Sequence, residues 1–240
     1  RYALIVRAGT VTLRASGRGY APQRARMTVT GGTQRTRDFD LQTVVREWSL
    51  ARDFSQRDNP HGAWSFGYRD AVRGVFQPYG EFKWAGAYPG QFGFWKPPGN
   101  GAHDRWGSVD VHVGPDGSRL YGLQCYDHNQ VSLHAGRGTA ADGSDRVATT
   151  ARWTSPLDGR VRVSAVFAGV SYARTGSHAR VGVSVNGAST FAATLDGFAG
   201  GGGLEPIGLH PTRSYLGVLP VSVGDRVDFT AWFNGEYLVE

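Results

Sequence analysis

Residues 180–187 read RVGVSVNG, and this stretch decides the fold class. Valine recurs at every second position and alternates with polar or small residues, as in a β-strand that buries one face. The pair Asn186-Gly187 follows, and it is typical of the tight turn of a β-hairpin. Residues 190–195, TFAATL, can form the returning strand. The stretch therefore predicts an antiparallel hairpin with one buried face.

The same two-residue period continues along the chain. It recurs at residues 10–15 (TVTLRA), 26–30 (RMTVT), 108–113 (SVDVHV), 160–166 (RVRVSAV) and 226–232 (RVDFTAW). The sequence GPDG at 114–117 predicts a hairpin turn directly after one of these strands. Short strands separated by turns favour a sandwich or a jelly roll, so we predict an all-β fold of the jelly-roll or β-sandwich type.

Composition narrows the class of protein. The 35 glycines and 11 prolines among 240 residues form no collagen-like triplet and indicate the turns of a many-stranded protein. No apolar run reaches the roughly 18 residues of a membrane-spanning helix, so no membrane span is expected. Cys125 is the only cysteine. An intrachain disulfide and a cysteine-based zinc site are therefore excluded.

The basic residues indicate the kind of partner. The formal net charge is +6, and Lys83 and Lys96 are the only lysines among 26 basic residues. The arginines are spread over the whole chain and form no basic run of the kind that binds nucleic acid, so we expect no nucleic-acid partner. The planar guanidinium suits carboxylate and sulfate, which favours a glycan partner and, among glycans, an acidic one.

A domain boundary is predicted where the pattern changes, between residues 40 and 52. Residues 2–41 read as three strands, too few to bury two faces. We assign 1–41 to a partial β module, 42–52 to a linker and 53–240 to the sandwich. The chain opens at Arg1 rather than at Met, so we expect a mature or excised fragment.

The first module resembles a known family. Its stretches 8–15 (AGTVTLRA), 19–23 (GYAPQ), 29–32 (VTGG) and 37–41 (RDFDL) are similar to the last strands of a carboxypeptidase-regulatory-like, or prealbumin-like, domain. The opening strands of that family are missing here. The resemblance implies a spacer or accessory module without catalytic residues.

The remainder resembles a second group of modules. Stretches that carry the likeness are 59–68 (NPHGAWSFGY), 134–136 (HAG), 152–159 (RWTSPLDG), 183–187 (VSVNG) and 223–229 (VGDRVDF). They are similar to C-terminal jelly-roll-like β-sandwich modules of large secreted bacterial proteins, which often accompany glycan-active or adhesive domains. The resemblance implies a secreted or cell-surface location, and it places Trp64 and Trp153 in the core.

The sequence shows no catalytic constellation. The string AWSFG at 63–67 lacks the first glycine of a nucleophile elbow, and no HExxH motif or paired-glutamate pattern occurs. We therefore expect a non-catalytic protein. A polysaccharide lyase is the weaker alternative, because HDR at 103–105 beside Trp106 supplies residue types that such enzymes use.

No cofactor is required by the sequence, although a metal ion has candidate ligands. The strand-borne histidines 112, 128 and 134, with Asp127, would form a transition-metal site if they converged, although structural histidines are commoner. A structural calcium ion is possible at residues 142–145 (DGSD) or at Asp53 with Asp58. Short Asp, Gly and Ser clusters also form turns without any metal.

Aromatic residues concentrate between Phe76 and Trp106, in a stretch rich in Gly and Pro. Rings stack on the apolar faces of sugars, while neighbouring polar groups bond the hydroxyls. The predicted ligand-binding residues are Trp84, Tyr88, Trp95, Asn100, His103, Asp104, Arg105 and Trp106. Lys83 and Lys96 would add charge toward an acidic ligand. Trp95 is expected to be exposed, because KPPGNG at 96–101 predicts a surface loop.

Two alternatives stay open at this point. Phe82 and Trp84 alternate as inward-facing strand residues do, and so do Phe92 and Phe94, so the aromatic stretch can also be core. The leading hypothesis is an extracellular carbohydrate-binding, lectin-like accessory module. The alternative is a surface, adhesion or filament subunit, because the three-strand N-terminal piece would expose sheet edges for self-association.

Overall fold

A computed structural model describes residues 4–16, 23–41, 46–70, 74–99, 105–115, 118–120, 124–136, 147–169, 178–196 and 211–233. These ranges form several antiparallel sheets that are open rather than closed into a barrel, which confirms the predicted all-β sandwich class. No helix in these ranges has the length and apolar character needed to cross a membrane. The chain separates into two compact units, Arg1–Glu47 and Trp48–Glu240.

The first unit contains an antiparallel pair of strands. β1 spans Gly9–Ala15 and β2 spans Gln23–Val29, with Gly9 opposite Val29. The prediction of three strands in residues 2–41 is not met in the described residues, which contain β1 and β2 and form no strand over 33–41. The side chains of 33–41 are nearly all exposed, so pairing them would bury little apolar surface. The backbone carbonyl of Asp40 accepts a hydrogen bond from the side-chain amide of Gln23, the first residue of β2, at 2.5 Å.

The second unit contains the remaining described strands. They are β3 (Trp64–Asp70), β4 (Phe76–Pro78), β5 (Glu81–Trp84), β6 (Phe92–Lys96), β7 (Ser108–His112), β8 (Ser118–Leu120), β9 (Gln124–Tyr126), β10 (Val131–His134), β11 (Val147–Thr154), β12 (Gly159–Ala168), β13 (His178–Val185), β14 (Ala188–Asp196), β15 (Thr212–Val221) and β16 (Arg226–Phe233).

Two sheets form the sandwich. The six-stranded sheet has the order β14-β13-β16-β11-β3-β4, and the four-stranded sheet has the order β10-β7-β6-β5. The hairpin predicted from residues 180–195 is present as β13 and β14, with Asn186 at φ 50° and Gly187 at φ 88° in its turn. Positive φ at both positions is what this turn requires, and Asn-Gly supplies it at low cost.

The core lies between these sheets. Trp64, Phe66 and Trp153 enter it from the six-stranded sheet, and Trp95 and Val109 enter it from the four-stranded sheet. Trp64 and Trp153 are each 5% exposed, which confirms their predicted place in the core. Alternate residues of the same strands therefore point away from the core, and they form the outer face of each sheet.

A further ribbon, β12 with β15, packs onto the core through one side. Val161, Phe167, Tyr215 and Leu219 contact the core cluster, whereas alternate residues of both strands point outward. The outward side includes exposed apolar side chains, namely Val166, Leu216 and Val218. This ribbon therefore has a buried face and a partly apolar exposed face.

The hairpin predicted around GPDG at 114–117 is wrong. β7 pairs with β6 and β10, so both of its edges are occupied, while β8 pairs with β9 in a separate two-stranded sheet. Directly after β7, the backbone amide of Val113 donates a hydrogen bond to the carbonyl of Gln91 at 2.8 Å.

Candidate functional site

Trp95, expected to be the most exposed ring of the predicted site, is buried. Its side chain is 5% exposed and belongs to the core cluster. Its ring packs edge-on against Phe82 with 5.5 Å between centroids, and its indole N–H donates to the carbonyl of Ser55 at 2.7 Å. The exposure prediction is therefore wrong. The Pro-Pro loop does follow Trp95, but the strand alternation of β6 turns this ring inward.

Lys96 is also buried, which corrects the expectation that it adds charge toward a ligand. Its ammonium donates to the carboxylate of Glu81 at 2.6 Å and to the carbonyls of Pro97 and Gly99 at 3.1 and 2.9 Å. All three hydrogen bonds that an ammonium can donate are thus used within the protein. Lys83, by contrast, is exposed.

The other predicted rings lie in three different surroundings. Trp84 packs edge-on against Phe82 at 5.4 Å, and Tyr88 packs against a small cluster of Ala85, Phe92 and Tyr126. Trp106 contacts Tyr68, with 5.1 Å between ring centroids. All three predicted rings are half-buried, and no described contact joins any two of them. The single platform expected from the sequence is not formed by these contacts.

Polar groups predicted beside the rings are only partly described. Arg105 is exposed, and its guanidinium carbon lies 5.9 Å from the centroid of the Trp106 ring. Three other predicted ligand-binding residues, Asn100, His103 and Asp104, lie outside the described residues. The ligand-binding role of these residues stays a prediction.

The histidine site expected for a transition metal is not formed. In the described part of the chain, no group of three or more His, Cys, Asp or Glu side chains is placed to hold a metal ion. The Nδ1 atom of His112 lies 3.0 Å from the carbonyl oxygen of Asp127, and Nδ1 of His128 lies 3.0 Å from that of Gly114. These imidazoles are held by the backbone.

The two calcium candidates have different outcomes. The carboxylate of Asp53 accepts hydrogen bonds from the backbone N–H of Ser49 at 2.9 Å and from Nε of Arg52 at 3.1 Å, so it closes a turn. Residues 142–145 lie outside the described residues, and calcium there stays a prediction.

A different set of candidate residues lies on the outer face of the six-stranded sheet. Directly paired residues of antiparallel strands point to the same face, so the register defines one row across all six strands. From β4 to β14 the row is Phe76, Arg69, Ala148, Trp232, Arg180 and Thr194. We call this row and its neighbours Thr150, Thr230, Arg152 and Asp228 the Trp232 face.

An arginine–aspartate cluster fixes one side of this face. Arg152 donates from Nε and Nη2 to the two oxygens of Asp228 at 2.7 and 2.9 Å, and Nη2 of Arg69 donates to the same carboxylate. The Phe76 ring stacks on the guanidinium of Arg152, with 4.0 Å between the guanidinium carbon and the ring centroid. Such bidentate and stacked contacts hold the arginine planes rigidly.

Phe76 can reach Arg152 because Gly67 lies between their strands. A Cβ atom at residue 67 would come within 2.7 Å of the Phe76 ring and 2.2 Å of the carbonyl oxygen of Gln77. Any larger residue would therefore displace the ring. The sequence places glycine where the face needs a close approach.

Exposure increases across the Trp232 face toward β14. Asp228 is 1% exposed and Thr150 is fully buried, whereas Arg180 and Thr194 are exposed. Trp232 lies at the transition and is half-buried. Among the described residues, no ring contact involves Trp232, unlike the aromatic residues of the core. The face thus presents an aromatic ring on a rigid sheet, with guanidinium groups on the strands at either side.

Sequence reasoning missed this face, although its signal is present. In RVDFTAW at 226–232 the apolar positions Val227, Phe229 and Ala231 alternate with Asp228, Thr230 and Trp232. A tryptophan on the polar side of an alternating strand is predicted to point away from the core. Which other residues join it depends on strand order, and the sequence alone does not provide that order.

The outer face of the four-stranded sheet differs in its chemistry. Asp110 on β7 is 6% exposed, and one of its carboxylate oxygens has no hydrogen-bond partner among the described residues. Burial raises the pKa of the Asp110 carboxyl to about 7, and a hydrogen bond from Ser108 partly opposes this.

Comparisons with known proteins identify no family. A scan of protein-family models found no match, and a search of curated proteins found none. Among solved structures, Arthrobacter globiformis T6 isomalto-dextranase complexed with panose is similar at 10% identity and a TM-score of 0.23. The alignment covers 94% of this chain and 30% of that one, so this chain spans less than a third of that protein. At so low a score, the likeness supports no conclusion about fold or ligand.

Proposed function

We propose that this protein is a non-catalytic, extracellular carbohydrate-binding module and that the Trp232 face is its glycan-binding surface. The observation that carries the proposal is the position of Trp232. Its half-buried ring lies on the outer face of a six-stranded sheet, and no other described ring covers it. A ring held in this way can stack on the apolar face of a sugar without first being ordered.

The polar groups around Trp232 complement a sugar. Arg180 lies on the neighbouring strand β13, and Arg69 lies two strands away on the other side. Adjacent strands are about 4.8 Å apart, so both guanidinium groups are within reach of substituents on a sugar centred over the ring. Thr194, exposed on β14, adds a hydroxyl at the open side of the face. Stacking and hydrogen bonding are thus available from one surface.

The rigidity of the sheet supports binding rather than catalysis. Trp232 is paired on both sides, with Ala148 of β11 and Arg180 of β13. The one described carboxylate on this face, Asp228, is bonded to two arginines, so it is not available as a base or a nucleophile. The arrangement holds a ligand and offers no group to cleave it.

The proposal is tested by affinity gel electrophoresis against a panel of neutral and acidic polysaccharides. We expect the protein to be retarded by at least one polymer and Trp232→Ala to migrate as in a gel without polymer. Trp84→Ala is the matched control, because Trp84 is also half-buried but packs against Phe82 on β5. Retardation that survives in Trp232→Ala, or its loss in Trp84→Ala alone, would contradict the assignment.

A second function, that of a self-associating surface subunit, is favoured by one observation. The sheet of β1 and β2 has only two strands in the described part of the first unit, so each strand has an outer edge without a described partner. Such edges can pair with a strand of another chain. Sedimentation velocity over a wide concentration range tests this function, and a particle that stays monomeric throughout would exclude it.

A further inference from the structure

We infer that the Trp232 face selects glycans that carry carboxylate groups, with Arg180 as the principal contact to the carboxylate. This inference rests on the proposed function and adds the chemical class of the ligand. Because charge recognition and sugar stacking depend on different side chains of the face, they can be tested separately.

The charge balance of the outer face is the first argument. Arg69, Arg152, Arg180 and Arg226 all lie on this face, together with Asp228. Asp228 is shared by Arg69 and Arg152. Arg180 and Arg226 are exposed. The face therefore has an excess of positive charge, which an anionic ligand would neutralise.

Incomplete hydrogen bonding of Arg69 is the second argument. Its Nη2 atom donates to Asp228, but its buried Nε has no hydrogen-bond partner among the described residues. A buried donor left unpaired destabilises a folded protein. The side chain of Arg69 is 18% exposed, so part of its guanidinium still faces the ligand side. The exposed part of the guanidinium can therefore contribute to the attraction of a ligand carboxylate.

Geometry assigns the main contact to Arg180. It lies directly opposite Trp232 in the register, on the adjacent strand and on the exposed side of the face. A sugar stacked on the Trp232 ring would direct its ring substituents along the row toward Arg180. A carboxylate there can take a bidentate hydrogen bond, which a neutral hydroxyl or an ester cannot reproduce.

The test compares ligands that differ only in charge. Polygalacturonate and alginate would be run beside their methyl esters, in which the same backbones have lost the carboxylate charge. We expect at least tenfold tighter binding to the acids, and a loss of affinity as the salt concentration rises. Equal binding to acids and esters would overturn the inference and leave the proposed function intact.

The matched variants are Arg180→Gln and Arg162→Gln. Both remove one charge from an exposed strand residue, but Arg162 lies on the ribbon strand β12 and not on the Trp232 face. We expect Arg180→Gln to lose about tenfold in affinity for the acids, with no change for the esters, and Arg162→Gln to bind like the unaltered protein. Equal losses in both variants would indicate non-specific charge attraction and contradict the inference.

Failure of the proposed function would give a different pattern. If no polymer is bound, or if Trp232→Ala binds every polymer as well as the unaltered protein, the Trp232 face is not a glycan site and both proposals are wrong. If neutral polymers alone are bound and Trp232→Ala abolishes that binding, only the inference about carboxylates is wrong.

Discussion

The aromatic stretch between Phe76 and Trp106 and the Trp232 face both contain tryptophan, but they differ in how the ring is packed. The stretch has many rings, and its central tryptophan, Trp95, is 5% exposed with its indole N–H bonded to Ser55. The face has a tryptophan that no other described ring contacts and that is half-buried beside arginines. A high density of rings therefore indicates packing here, whereas one ring on the polar side of a strand indicates a surface available to a ligand.

The two sheets also bury carboxylates differently. Asp228 on the six-stranded sheet is bonded to two arginines, whereas one oxygen of Asp110 on the four-stranded sheet has no described partner. Burial without a charged partner raises the pKa of the Asp110 carboxyl. The two outer faces thus hold their buried carboxylates in different surroundings.

The largest expected effect is the loss of stability on substitution of the core residue Trp95. We expect Trp95→Ala to lower the free energy of unfolding by about 3–5 kcal/mol, because it removes a large core ring and leaves a cavity. Glycan binding by the molecules that remain folded should not change. Chemical denaturation gives the first quantity and affinity electrophoresis the second. A loss below about 1 kcal/mol would mean that Trp95 is not packed in the core.

The next effect concerns the unpaired carboxyl of Asp110, whose pKa is raised to about 7 in the folded protein by burial. Its contribution to stability is fully present below about pH 4 and is lost as the pH rises to about 7, because the unfolded chain releases the proton earlier. Over about three pH units this amounts to about 4 kcal/mol. We expect Asp110→Asn to remove this slope and to be the more stable form at pH 8.

Denaturation of both forms from pH 4 to pH 8 measures this difference. Asp225→Asn is a suitable control. Asp225 accepts a hydrogen bond from the backbone N–H of Ser222, which is the largest cause of the lowered pKa of its carboxyl. Its contribution to stability is lost as the pH falls, which is the opposite direction. Parallel slopes for Asp110→Asn and the unaltered protein would contradict the account.

The smallest effect on stability belongs to Trp232. Its ring makes no ring contact with the described residues, so Trp232→Ala should lower the free energy of unfolding by about 1 kcal/mol or less. The same substitution is expected to abolish glycan binding. A loss comparable to that of Trp95→Ala would show that Trp232 is a packing residue, and the contrast between the two regions would disappear.

Much of the fold was predictable because alternation is a local property. The period of two in residues 180–195 and 226–232 predicted the strands β13, β14 and β16. Asn186-Gly187 predicted the turn between β13 and β14. The hairpin predicted at GPDG does not form because strand pairing depends on the whole sheet. Both edges of β7 are paired with other strands, β6 and β10. Residues 37–41 form no strand, although they include Phe39 and Leu41.

The site was less predictable, because it is assembled from distant strands. Trp232 meets Arg180 and Ala148 only through the register of β16 with β13 and β11. The density of aromatic residues between Phe76 and Trp106 predicted a binding site there, yet the alternation of β6 turns Trp95 inward. A prediction from strand faces alone would have selected Trp232, but it would not have found the arginines beside it.

The most direct test of the Trp232 face follows the indole N–H groups of the seven tryptophans by nuclear magnetic resonance during titration with polygalacturonate or another bound polymer. Trp232→Phe assigns one signal, and Trp95→Phe assigns a core signal for comparison. We predict that the Trp232 signal shifts or broadens with added polymer while the Trp95 signal stays in place. A Trp232 signal that does not change while the signal of Trp84 or Trp106 moves would contradict the account.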